Sequence, residues 1–179
     1  MKSFQKIIVC AIVLLLSASL QSYGQTNSIH WMSITEAYQR SITDSVKKKV
    51  YIDVYTQWCG WCKRMDATTF EDPMVVGYIN SRYYPVKLDA EIKDTIHLGD
   101  KTFVYKPELK ANEIAVSLLN QKMSYPTTIF LDERFNMLSP VPGYQSTDQL
   151  IPILRYFGEN TYKTVTWEDY EKQGYKQGN

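Results

Sequence analysis

The sequence predicts an α/β fold in which a central mixed sheet is flanked by helices. Three observations predict it. Val50-Tyr51-Ile52-Asp53-Val54-Tyr55 is rich in β-branched and aromatic residues and reads as a buried strand. After it come Cys59-Gly60-Trp61-Cys62, a helix-compatible stretch from Lys63 to Phe70, and a second strand-like run from Tyr83 to Asp89. Two strands joined through a helix lie parallel, in a right-handed crossover. Further on, the strand of Ser124 to Asp132 and that of Met137 to Val141 are separated by a turn at Glu133 to Asn136, which makes them antiparallel neighbours.

The elements follow in order. Residues 1–24 read as a signal peptide: Lys2 and Lys6 form a basic start, Ile7 to Leu20 is an apolar run, and Ser22-Tyr23-Gly24 offers small residues to a peptidase, so cleavage is expected near Gln25. The run is short for a membrane span, which disfavours an uncleaved anchor. Cys10, inside it, reads as a small apolar residue of a discarded segment. Ser33-Ile34-Thr35-Glu36 is a capping box, and Ile34, Ala37, Tyr38, Ile42 and Val46 recur at helical spacing. That helix is expected to end on a solvated basic turn, Lys47-Lys48-Lys49, where cations suit the dipole.

The motif helix is interrupted at Asp72-Pro73, an N-cap followed by proline at the first helical position, and a fresh helix is expected to about Ser81. Thr95 to Leu98 and Thr102 to Tyr105 flank Gly99-Asp100 and predict a hairpin, with His97 on its surface. Pro107 to Lys122 is expected as a helix with Leu109, Ile114, Ala115, Leu118 and Leu119 inward. Ser146 to Gln149 opens a final helix through Phe157. Pro152 lies inside it and calls for a late start or a kink. Residues 160–179 form a polar, Tyr-rich extension with a short helix around Trp167 to Tyr170.

Bulk properties narrow the function classes. The 179 residues suffice for one domain with a real core, and 44% hydrophobic residues suit a globular protein. A formal charge of +1, falling to −1 once Lys2 and Lys6 are removed with the leader, makes no case for nucleic acid or an anionic membrane surface. The mature chain keeps two cysteines, both in one Cys-x-x-Cys pair, so it carries no disulfide framework and the pair is free to cycle.

That pair sits where a strand hands over to a helix. Free backbone N–H groups and the positive dipole end there favour a thiolate, the attacking species in disulfide exchange. Cys59 is therefore the expected nucleophile and Cys62, one turn in, the resolving thiol. A zinc site would need a second cysteine pair or histidines at ligand spacing, and His30 and His97 have none, so no metal is expected. A structural disulfide across so short a loop would constrain the unfolded chain little.

The motifs Trp58-Cys59-Gly60-Trp61-Cys62-Lys63 and Tyr125-Pro126-Thr127, with this element order over about residues 30–158, resemble the thioredoxin-like superfamily, in particular its exported bacterial branch. The resemblance implies a thioredoxin fold over residues 25–159, with an insertion at about 90–123 before a cis-proline strand. Trp61 in place of the proline of thioredoxin itself, and the insertion, are departures. It further implies that Asp53, six residues before Cys59, is a buried acid that deprotonates Cys62, since burial raises a carboxyl pKa toward neutrality. An ordinary strand-edge carboxylate is the competing reading. Pro126 matches the family's cis-proline, whose turn exposes the backbone of Tyr125 for strand-like pairing with substrate. Trp58, Gly60, Trp61, Tyr125 and Pro126 thus form the expected substrate surface. Lys87 falls where thioredoxins place a lysine near the acid, and Gly143 near their substrate-groove glycine; for Lys87 a solvated strand position competes equally.

The function expected is a periplasmic thiol–disulfide oxidoreductase that reduces protein disulfides through the Cys59/Cys62 cycle. No cofactor is implied. The partners are disulfide-containing proteins and an electron-donating thiol protein such as a membrane reductase, because the chain has no flavin or nicotinamide fingerprint. An oxidase or isomerase is the alternative within the enzyme class. A Cu(I)-binding or chaperone module is the alternative outside it.

Overall fold

A computed structural model describes residues 28–174. The expected signal peptide, Cys10 and the last five residues lie outside that range. The order of elements is α1 (Ile34–Thr43), β1 (Lys49–Tyr55), α2 (Gly60–Ala67), a 3-10 turn (Thr69–Glu71), α3 (Pro73–Arg82) and β2 (Tyr83–Asp89). There follow β3 (Ile96–Leu98), β4 (Lys101–Phe103), β5 (Tyr105–Lys106), β6 (Ala111–Asn112) and α4 (Glu113–Leu118). The chain ends with β7 (Thr127–Leu131), β8 (Met137–Pro142), α5 (Thr147–Gly158), a 3-10 turn (Thr161–Lys163) and α6 (Trp167–Lys172).

The sheet has the order β2-β1-β7-β8. β1 pairs parallel with β2, Ile52 opposite Val86, and antiparallel with β7, Ile52 opposite Ile129. β7 and β8 are antiparallel. β1 is thus central and buried on both faces, and side-chain alternation splits it between two cores. Ile52 and Val54 join Ile34, Ala37, Val86, Ile114 and Ile129 on one side. Tyr51 joins Met65, Phe70, Val75, Ile79, Phe130, Leu154 and Phe157 on the other, the side of the motif helix. Phe130 stacks on Phe157 with centroids 4.4 Å apart.

Several sequence expectations are corrected. α1 stops at Thr43, where Asp44 turns extended, which leaves Val46 beyond the helix and exposed; Ile42, within it, is exposed as well instead of inward. Its end is not the lysine run. Lys49 begins β1 and is buried, its ammonium 2.6 Å from Glu133 Oε1 and 2.9 Å from Asn160 Oδ1, because the central strand draws it inside and a carboxylate and an amide meet its charge. Pro107 to Lys122 is not one helix. Pro107 to Lys110 form the turn of a small hairpin, β5 to β6, with Lys110 at φ +50°, and Leu109 is exposed. Only Glu113–Leu118 is helical. The proline-containing α5 starts at Thr147 with its capping box intact and runs through Pro152, so the helix does not begin late. Asp72 and Pro73 cap α3 as read, and the Gly99 hairpin forms, Gly99 taking φ +57°. Among the described residues no helix is long and apolar enough to cross a membrane.

One buried residue holds the 90–123 segment together. Asn112 caps α4 by accepting from Ile114 N–H, and its amide donates to the carbonyls of Ile92 (3.2 Å) and Asp94 (3.1 Å). Asn112→Ala leaves those buried groups unmatched and is expected to cost about 2 kcal/mol in chemical denaturation. A midpoint equal to wild type would show that solvent replaces the amide.

Candidate active site

Cys59 is the N-cap of α2, in an extended conformation, and its sulfur accepts the Cys62 N–H at 3.1 Å. This is the position where helix N–H groups lack partners, so charge on Cys59 is met by a backbone donor and the dipole together. Cys59 and Cys62 are joined by a disulfide with Cα atoms 5.3 Å apart. Both are largely covered, Cys59 at 5% exposure and Cys62 at 2%, so the first cysteine is the more open of the two. The strand-to-helix link is held by Cys59 N–H on the Thr56 carbonyl, 3.1 Å.

The tryptophans frame the disulfide. Trp58 and Trp61 are 66% and 58% exposed, so core packing does not explain either. The Trp58 ring stands edge-on to Tyr125 at 5.8 Å, which brings the Tyr125-Pro126 loop beside the motif. The Tyr125–Pro126 bond is cis. The Pro126 carbonyl accepts Gly143 N–H at 2.8 Å, and Gly143 has φ +92°. Gly60 is exposed with nothing within 4 Å of the position a Cβ would take.

Behind the motif lies an ionic cluster. Asp53 is 1% exposed, far from an ordinary strand-edge carboxylate. Its Oδ2 is 2.6 Å from Lys87 Nζ, and its Oδ1 is buried without a hydrogen-bond partner. Lys87 also donates to Asp66, four residues after Cys62 and so on the same face of α2. Burial pushes the Asp53 carboxyl up, more than the Lys87 ammonium pulls it down. Burial works against the Lys87 charge, but Asp53 and Asp66 outweigh it and hold its pKa above the usual value. Lys87 is ringed by Trp31, Tyr55 and Phe70 at 5.0 to 5.1 Å, so the solvated reading of this lysine is corrected. Its neighbours come from three separate segments, which no local pattern reveals.

The residues that sequence reasoning missed are Asp66, Glu91, Arg64 and Tyr144. Asp66 had a signal, the i+4 spacing from Cys62. Glu91, which accepts Trp58 Nε1–H at 3.1 Å, and Tyr144, 5.5 Å from the Trp61 ring, come from distant segments and had none. The His97 ring bonds Thr102 on an exposed hairpin. Among the described residues no group of three or more His, Cys, Asp or Glu could hold a metal ion.

Comparison with known proteins agrees with this geometry. The family model Thioredox_DsbH, described as a protein of unknown function (DUF255), matches residues 15–149. A solved structure titled DsbH oxidoreductase is 17% identical with a TM-score of 0.53, over 79% of this chain and 93% of that one. A thioredoxin-fold protein from Helicobacter pylori is 14% identical with a TM-score of 0.54, over 78% and 92%. A thioredoxin from Thermus thermophilus is 15% identical with a TM-score of 0.53, over 84% and 99%. Likeness at such identities shows a shared thioredoxin fold. No curated protein matches the sequence.

Proposed function

The chain belongs to the Thioredox_DsbH family, and on that premise we propose that it is a thiol–disulfide oxidoreductase reducing protein disulfides in the periplasm. The observation that carries the reading is the Cys59–Cys62 disulfide at the N-terminus of α2, its outer sulfur on a backbone N–H. In the reduced protein the Cys59 thiolate attacks one sulfur of a substrate disulfide. A Cys59–substrate S–S bond forms, and the other substrate sulfur leaves as thiolate. Asp53 takes the proton of Cys62. The Cys62 thiolate then attacks Cys59, the mixed disulfide breaks, and the second substrate sulfur departs. Two electrons have passed to the substrate, and the Cys59–Cys62 bond is restored. A dithiol protein returns the pair to the reduced form by the same exchange in reverse; a membrane reductase fits that role for an exported chain.

The direction rests on the thiolate. Gly60-Trp61 puts no histidine between the cysteines, so backbone and dipole alone hold the charge on Cys59, which supports a reductant over a strong oxidant. Equilibration with glutathione or dithiothreitol buffers, followed by tryptophan fluorescence, tests it. The expected potential is more reducing than about −230 mV, on the thioredoxin side of the scale. A value near about −120 mV would assign an oxidase instead.

A further inference from the structure

The disulfide lies between two aromatic arms that carry opposite charge. One arm is Trp58 and Tyr125, with Glu91 accepting the Trp58 indole N–H at 3.1 Å and Asp89 accepting Glu91 N–H at 2.9 Å. Two carboxylates therefore stand together at the end of β2. The other arm is Trp61 and Tyr144, with the Arg64 guanidinium 5.5 Å from the first ring and 5.9 Å from the second. Among the described residues neither Arg64, Glu91 nor Asp89 enters an ion pair, although Asp89 also accepts from Gln57 Nε2 at 3.2 Å; Asp53 and Asp66 behind them, by contrast, share the Lys87 ammonium.

Charges without an ion-pair partner on partly exposed arms flanking a reactive sulfur discriminate among partners more than they stabilise the fold, because the ion-pair part of their energy is realised when an opposite charge docks. An extended chain advances about 3.3 Å per residue, so the residues before and after its cysteine fall on opposite sides of the disulfide along the chain direction. The aromatic rings supply sequence-tolerant contact area for such a segment.

We propose that the surface around the disulfide selects an extended cysteine-bearing segment of bipolar charge, with a basic residue on the Glu91–Asp89 side of the cysteine and an acidic residue on the Arg64 side. The proposal rests on the redox reading above and adds the substrate class to it.

The test uses single-cysteine peptides whose sulfur is capped as a 2-pyridyl disulfide. The pre-reduced protein attacks the peptide sulfur, 2-thiopyridone leaves, and its absorbance gives the rate. The set comprises an uncharged peptide, a peptide with Lys before and Glu after the cysteine, and the same peptide with the charges exchanged. One bipolar order is expected to react about tenfold faster than the other at low salt, with the difference collapsing at high salt. Arg64→Glu should remove or invert the dependence on the acidic residue. Glu91→Gln, which keeps an acceptor for Trp58, should reduce the dependence on the basic one. Equal rates for both orders, or ratios unchanged in both variants, overturn the bipolar selection while leaving the redox reading intact. Failure of the wild-type protein to react even with the uncharged peptide overturns both.

Discussion

Cys59→Ser is expected to abolish turnover in a dithiothreitol-driven insulin reduction assay, to the uncatalysed background. A serine oxygen does not form the S–O equivalent of a mixed disulfide under these conditions, so the first bond of the cycle cannot be made. The substitution is nearly isosteric at an N-cap position that serine favours, and helix α2 should persist. An unchanged far-ultraviolet spectrum would separate lost chemistry from lost structure. Cys62→Ala is expected to behave differently. It keeps the attacking sulfur and removes the resolving one, so the chain should accumulate as a covalent adduct with its substrate, visible on a non-reducing gel. That adduct is also the route to the physiological partner. Turnover retained in Cys59→Ser would leave the protein a binding module and end the enzymatic reading.

Asp53→Asn should slow resolution of the mixed disulfide by about 10²-fold near neutral pH while the initial attack by Cys59 survives. The neutral amide cannot take the Cys62 proton; Oδ1 of Asp53 is buried without a hydrogen-bond partner, and it is the oxygen to which we assign that proton. Wild-type resolution should rise with pH as Asp53 ionises, and the variant should lack that limb. The same change has a signed effect on stability. The folded carboxyl holds its proton to higher pH than the unfolded one, because burial disfavours its charge. Wild-type stability therefore falls as pH rises from the ordinary carboxylate range through the raised pKa of Asp53, and the loss persists above it. Asp53→Asn escapes that loss and leaves Lys87 paired with Asp66. Its stability relative to wild type should grow with pH across this window and lose that extra margin in acid. A difference independent of pH would show that folding leaves the Asp53 pKa unchanged.

The chemistry of this protein was legible from local pattern. Cys59, Cys62 and the strand-to-helix hand-over are adjacent in the chain, and adjacency is what a sequence displays. The same holds for the cap at Ser33, the Asp72-Pro73 start and the Gly99 turn, each a device of four residues or fewer. The family pattern of Asp53 six residues before Cys59 foretold that its carboxyl is buried. The failures share one cause. The helix expected over Pro107 to Lys122 has helical periodicity, but the 90–123 segment folds to satisfy Asn112 against the carbonyls of Ile92 and Asp94, and a long-range hydrogen-bond set outweighs weak intrinsic preference. The lysines after Thr43 looked solvated until pairing with β2 and β7 buried the first residue of β1. Lys87 looked equally free until three aromatic rings and two carboxylates from separate elements closed around it. Sequence alone determined which two cysteines sit together at the strand-to-helix junction and form the disulfide. Only tertiary packing decided which charges are cancelled in the interior and which are left outward beside the sulfurs, because burial and pairing depend on residues tens of positions apart.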